Sequence, residues 1–182
     1  RLLSTPVGIG AGAEFRGKGT TKNGKILQET IKKCIFACSK RDKKKTMNKI
    51  VLITGATSGI GLACARKFAA NGDKLILTGR NEHRLSEIKK ELDAEVMTLA
   101  FDVRDRFKAQ NYISSLPAEW KKIDVLVNNA GLALGLEPEY EGSIDDWETM
   151  IDTNLKGLLI MTRLIVPGMV ERNSGHVINI NR

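Results

Sequence analysis

The stretch that most constrains this chain runs from Ile50 to Gly72. Ile50 to Thr54 (IVLIT) is a continuous apolar run, the pattern of a strand buried on both faces of a parallel sheet. It ends in the turn Gly55-Ala56-Thr57-Ser58-Gly59-Ile60-Gly61. Beyond the turn, Leu62, Ala65, Phe68 and Ala69 share one face of a helix predicted over 60–71, with Gly72 as its stop. Gly55 permits the tight turn out of the strand. Gly59 lets the backbone lie close to a pyrophosphate, and Gly61 lets the helix pack close to the sheet. The helix N-terminus then offers free amides and a partial positive charge to phosphate, with Ala56 and Ile60 completing the turn and Thr57 and Ser58 adding hydroxyls. Glycine spacing alone is weak evidence and fits a plain Gly-rich turn, but between a strand and a helix it is much stronger evidence for a dinucleotide-binding turn. Leu62 stands where a kinase-type phosphate loop requires Lys, which excludes that class.

The same alternation continues along the chain. Strands are predicted over 74–78 (KLILT), 95–101, 123–127 (IDVLV) and 176–180 (HVINI), and helices over 82–92 and 105–116. A long helix is predicted from 145 to about 170, with Trp147, Met150, Ile151, Leu155, Leu158 and Leu159 inward and Pro167 kinking or ending it. Strand-helix alternation forces right-handed crossovers and a parallel sheet covered on both faces. The expected fold class is α/β, a doubly wound parallel sheet of Rossmann type with strand order 3-2-1-4-5, ending after strand five.

The net charge of +8 hints at nucleic acid, but its distribution removes the hint. Residues 1–46 carry 12 basic and 3 acidic residues, a net of +9; the remainder carries 17 and 18, a net of −1. The chain therefore divides into a basic extension, 1–46, expected to be disordered, and a neutral domain, 47–182. Within the extension, the glycine cluster Gly8, Gly10 and Gly12 has no strand before it and reads as tail. Residues 26–38 could form a short amphipathic helix, and Cys34 and Cys38 lack the second pair that a zinc site needs. A transit peptide is one reading of this segment; the simpler one places the domain's start at Met47. Three cysteines are too few for a disulfide scaffold, so a reducing, cytoplasmic setting is expected. No apolar run approaches the roughly 18 residues of a membrane span. No metal, nucleic acid or membrane partner is expected.

The combination TGxxxGxG (Thr54 to Gly61), Asp102-Val103 after strand three, NNAG (Asn128 to Gly131) after strand four and Asn154 in the long helix resembles the short-chain dehydrogenase/reductase family. Within it, SLPAEW (Ser115 to Trp120), NNAGLALG (Asn128 to Gly135), DWETMIDTN (Asp146 to Asn154) and PGMVERN (Pro167 to Asn173) are similar to the NADP-dependent 3-hydroxy acid dehydrogenases, which act on serine, allo-threonine and related 3-hydroxy acids. The resemblance implies an oxidoreductase with a small-molecule substrate, hydride transfer to NADP, and a homo-oligomer formed through the long helix. It implies that Asp102 accepts from the adenine amino group with Val103 packing nearby; a helix N-cap is the structural alternative for Asp102. It implies that Asn128 to Gly131 let ribose and nicotinamide lie against the backbone, with Asn129, Ala130 and Gly131 as the cofactor contacts and Asn128 combining that role with structural support of the sheet. At the end of strand two, where a carboxylate would select NAD, Gly79-Arg80-Asn81 stands instead, and Arg80 suits a 2′-phosphate.

For the chemistry, the resemblance implies a Ser, a Tyr-x-x-x-Lys and an Asn that holds a relay water. Asn154 matches the Asn, with a polar contact bending the helix as its structural alternative. Arg182 occupies the Ser position, no Tyr-x-x-x-Lys follows, and Tyr112 and Tyr140 lie elsewhere in the chain. The polypeptide is accordingly expected to be inactive alone, with Leu132 to Leu136 and Glu137 as a surviving pocket wall. A truncated, non-catalytic dinucleotide-binding fragment is the alternative function.

Overall fold

The first strand, β1 (Ile50–Ile53), is apolar at every position because both of its faces are covered. β2 (Lys74–Gly79) pairs with it on one side and β4 (Val125–Asn128) on the other, both parallel, so β1 is the centre of the sheet. β3 (Val96–Ala100) lies outside β2 and β5 (His176–Asn179) outside β4, giving the order 3-2-1-4-5 that the alternation predicts. The structure, a computed structural model, describes residues 48–135 and 137–180. The basic extension with its glycine cluster, helix 26–38 and Cys34 and Cys38, together with Leu136, Asn181 and Arg182, lies outside the described residues.

Each face of the sheet carries its own core. On one, Val51, Ile53, Leu75 and Leu77 pack with α1 (Gly59–Ala70) through Leu62, Ala65 and Phe68, and with α2 (Glu82–Glu91) through Leu85 and Ile88. On the other, Ile50, Leu52, Ile76 and Leu126 meet Ala109 of α3 (Arg106–Ser114), Trp120 of a short 3-10 turn (Ala118–Trp120), and Met161, Ile165 and Met169 of the last helix. Each fully buried aliphatic side chain contributes about 1.5–3 kcal/mol, so the central strands dominate the stability. Two carboxylates fix where β1 begins: Asp73 accepts from the Lys49 amide at 3.1 Å and Asp124 from the Ile50 amide at 2.9 Å.

The long helix departs from its prediction. It is α4 (Ile144–Ile151), then a π-helical segment (Asp152–Gly157), then α5 (Leu158–Glu171). Of the residues expected inward, Trp147, Ile151, Leu155 and Leu159 are 37, 55, 60 and 64 % exposed. Met150 and Leu158 are half-buried. The buried set is Thr153, Gly157, Met161, Ile165 and Met169. Two rows of residues run along this stretch at i+4 spacing, and the apolar pattern followed the exposed one, Trp147, Ile151, Leu155 and Leu159, instead of the buried one. Pro167 neither ends nor breaks α5, which continues to Glu171. A proline removes the partner of the carbonyl four residues back, here Arg163, and both residues are exposed, so the loss falls on the solvent side of the helix. No helix among the described residues is long and apolar enough to cross a membrane, and none of their side chains cluster as a metal site.

Candidate functional site

Strand order reverses between β1 and β4, and the loops leaving β1 through β4 diverge there to open a crevice at the carboxyl edge of the sheet. Thr54 ties its floor together. Its hydroxyl accepts from the amides of Asn129 (3.0 Å) and Ala130 (2.9 Å) and donates to the Val127 carbonyl (3.4 Å). Asn129 returns the connection: its side-chain amide donates to the carbonyls of Thr54 and Gly55, both at 3.0 Å. The glycine turn and the loop after β4 are thus bonded to each other.

Within that turn Gly55 and Gly59 have φ of +64° and +53°, a backbone that residues with a Cβ seldom adopt. Gly61 is required for a different reason. A Cβ on it would lie 2.3 Å from the Gly55 carbonyl oxygen and 2.5 Å from Asn129 Nδ2. Ala56 is buried and its amide donates to Thr78 at 3.0 Å, joining the turn to β2. Thr57 rests against Gly79, and Ile60 packs on the core. Ser58 caps α1 in an extended conformation with no side-chain hydrogen bond, and the first turn contains no carboxylate. The hydroxyl and the leading amides of a 12-residue helix therefore remain available to an anion.

At the adenine side predicted from sequence, Arg80 is exposed just beyond β2, and Asn81 spends its side-chain oxygen capping α2 by accepting from the Arg84 amide at 2.9 Å. Asp102 is not the N-cap of α3; Asp105 is. Asp102 instead grips Arg104, accepting from its amide (3.0 Å), Nε (3.1 and 3.0 Å) and Nη2 (2.7 Å). Burial pushes the Asp102 carboxyl up, but the side-chain and backbone hydrogen bonds from Arg104 outweigh it and hold its pKa below the usual value, with the Arg80 charge adding to the effect. Val103 is buried, and its side chain fills the space that a Cβ on Gly157 would take.

On the opposite side, Asn128 supports the sheet as expected, donating to Thr162 Oγ1 and Asn179 Oδ1, both at 3.0 Å. Asn154 lies within the π segment. Its Oδ1 accepts from the Leu132 amide (2.9 Å) and its Nδ2 donates to the Leu132 carbonyl (2.8 Å), so its side chain clamps the loop after β4. Gly131 lies directly against it.

The resulting cleft, of about 150 Å³, is lined by Gly55, Thr57, Ser58, Arg80, Asp102, Val103, Asn129, Ala130 and Gly131 of the predicted residues, together with Gly79, Phe101, Leu132 and Thr153. Ala56, Gly59, Ile60, Gly61, Asn81 and Asn154 are not on its wall; they shape it from behind. Thr54 and Arg104 are the residues that sequence reasoning missed. The Thr54 signal lay in a hydroxyl ending an otherwise apolar strand. The Arg104 signal lay in a guanidinium two residues after a carboxylate.

Residues 49–181 match the family described as short chain dehydrogenase. The chain belongs to the short-chain dehydrogenase family. Among its curated relatives, the NADP-dependent 3-hydroxy acid dehydrogenase YdfG of Salmonella typhi is 60% identical over 131 residues, covering 72% of this chain and 53% of that protein. Sulfoacetaldehyde reductase 2 of Chromohalobacter salexigens is 50% identical, covering 71% and 52%. Among short-chain dehydrogenases of known structure, the closed form of a serine dehydrogenase complexed with NADP+ superposes with a TM-score of 0.67 at 57% identity, covering 71% of this chain and 52% of that one. The chain spans about half the length of the curated relatives it matches.

Proposed function

We propose that this chain forms the coenzyme-binding part of an NADP-dependent oxidoreductase that oxidises a small 3-hydroxy acid of the serine or allo-threonine type. The observation that carries the coenzyme choice is Arg80, exposed at the mouth of the cleft beyond β2, where no carboxylate competes for a ribose hydroxyl. The cleft suits a dinucleotide: a helix N-terminus with no side-chain cap and no acidic residues, a turn with no room for a Cβ at Gly61, and a buried acceptor, Asn129 Oδ1, with no hydrogen-bond partner among the described residues. The leading amides of α1 with Thr57 and Ser58 would hold the diphosphate, and Arg80 the 2′-phosphate. The backbone from Asn129 to Gly131 would support ribose and nicotinamide. NADP, when bound, supplies the hydride acceptor. Asn154 positions the Leu132 loop that would separate nicotinamide from solvent. The names of the relatives support the substrate class.

Arg80→Ala is expected to weaken NADP binding roughly ten- to hundred-fold, the worth of a charge-assisted hydrogen bond, and to leave NAD nearly unchanged, as read by calorimetric titration. Equal loss for both coenzymes would remove the assignment. A second reading, a dinucleotide-binding fragment without turnover, is favoured by the two tyrosines. Tyr112 stacks on Phe101 from α3 at 5.4 Å and Tyr140 is 85 % exposed in the loop after β4; neither lines the cleft. NADP binding without NADPH formation from serine or another 3-hydroxy acid would select it.

The exposed stripe Ile144, Trp147, Ile151, Leu155 and Leu159 supports the homo-oligomer. Exposed Asp145 and Glu148 flank its first half, and exposed Lys156 and Arg163 its second. An antiparallel second copy would therefore set acidic against basic while covering both stripes, as an isologous interface requires. Leu155→Glu is expected to convert the oligomer to monomer in light scattering; an unchanged mass would place the interface elsewhere.

A further inference from the structure

The loop after β4 is held to the long helix at two alternate residues. Asn154 takes both backbone groups of Leu132, at 2.9 and 2.8 Å. One turn earlier, on α4, Met150 Sδ accepts from the Leu134 amide at 3.3 Å. The two clasps act on one stretch of backbone, and its start, Gly131 and Leu132, is cleft wall. A thioether sulfur is a weak acceptor, and unlike a hydroxyl or an amide it reacts with peroxide. This one is reachable: Met150 is half-buried, Leu134 is 37 % exposed, and the bond between them lies at the surface. Met161, Met169 and Cys64 are buried, and Met97 lies on β3, three strands away from β4.

We infer that Met150 is an oxidation site whose sulfoxide loosens the coenzyme cleft. Hydrogen peroxide transfers one oxygen to the sulfur: the O–O bond breaks, an S–O bond forms, the thioether is oxidised by two electrons, and the peroxide leaves as water. The sulfur's remaining lone pair is then a poorer acceptor, and the new oxygen is the better one. That oxygen does not fit the existing contact. An N–H···O bond needs about 2.7–3.2 Å, and an oxygen carried on the sulfur toward the amide would lie well inside that, because the whole gap is 3.3 Å. Leu134 must release the side chain or move outward, and Asn154 is left to hold the loop. Leu132 then keeps its place on the cleft wall less firmly. Met150 acts here as a positioning residue, and the inference rests on the coenzyme placement proposed above.

The test treats the full chain with hydrogen peroxide, then with dithiothreitol to restore thiols, and titrates it calorimetrically with NADP. Peptide mass spectrometry locates the sulfoxide. Oxidation at Met150 is expected to weaken NADP binding roughly two- to tenfold, the net worth of one neutral hydrogen bond. Methionine sulfoxide reductase is expected to restore the original affinity. Met150→Leu keeps the volume but not the sulfur, and peroxide is expected to leave its affinity where it was. The reductase arm decides the same point without a variant, should the leucine chain fold poorly. Three results would overturn the inference and leave the coenzyme site standing: a Met150 sulfoxide with unchanged affinity, a Met150 that peroxide leaves as thioether, or an equal loss in the Met150→Leu chain. An untreated chain that binds no NADP would overturn the site and the inference together.

Discussion

Replacing Gly61 by alanine is expected to cost about 3 kcal/mol of stability, at the upper end of what overpacking does, and to abolish coenzyme binding. The added methyl would lie 2.3 Å from the Gly55 carbonyl oxygen and 2.5 Å from Asn129 Nδ2. Neither can retreat independently. The Gly55 oxygen accepts from that same Nδ2, Nδ2 also donates to the Thr54 carbonyl, and the Asn129 amide is held by the Thr54 hydroxyl. Relief requires moving the start of α1 away from β4, which separates the helix amides from the loop after β4. A shift of about 3 kcal/mol corresponds to roughly 6–12 °C in the melting midpoint of a domain this size. Thermal melting and NADP titration of the same preparation check both halves. A variant that melts and binds like the parent would show that the turn has slack the packing denies.

Thr54→Val is expected to be comparably damaging while changing the shape hardly at all. It removes one oxygen and leaves the Asn129 and Ala130 amides, at 3.0 and 2.9 Å from it, without an acceptor. Each buried unsatisfied donor costs about 1–3 kcal/mol, so the pair costs about 2–6 kcal/mol. Thr54→Ser, which keeps the oxygen, should recover most of that. Urea unfolding measures it as a lower midpoint at unchanged slope. A valine variant of parental midpoint would mean that water enters the floor of the cleft.

The sheet was readable because its strands are buried on both faces. IVLI, KLILT and VLV can hardly be anything but interior parallel strands once helices separate them, and the right-handed crossover rule then orders them. The glycine turn was readable because its requirements are local: positive φ at Gly55 and Gly59 and close approach at Gly61. The roles of Thr54 and Asn129 were not, because their partners lie 74 to 76 residues away and meet only after β1 and β4 pair. Asn154 was found for its position, but its partner, Leu132, depends on how the loop after β4 folds back. The Asp102–Arg104 grip is close in sequence yet depends on a loop conformation that residue type does not dictate. In the long helix the apolar residues divide between two faces, the core and the exposed stripe, and only packing against the sheet tells them apart.

The π segment also gives the long helix one place where the residue count can change. A π turn closes over one residue more than an α turn, so deleting one residue between Asp152 and Gly157 would let the segment relax to ordinary α pitch with the flanking helices still in phase. Met161, Ile165 and Met169 would keep their face to the sheet. The same deletion within α5, where each residue turns the chain by about 100°, would carry everything beyond it out of phase.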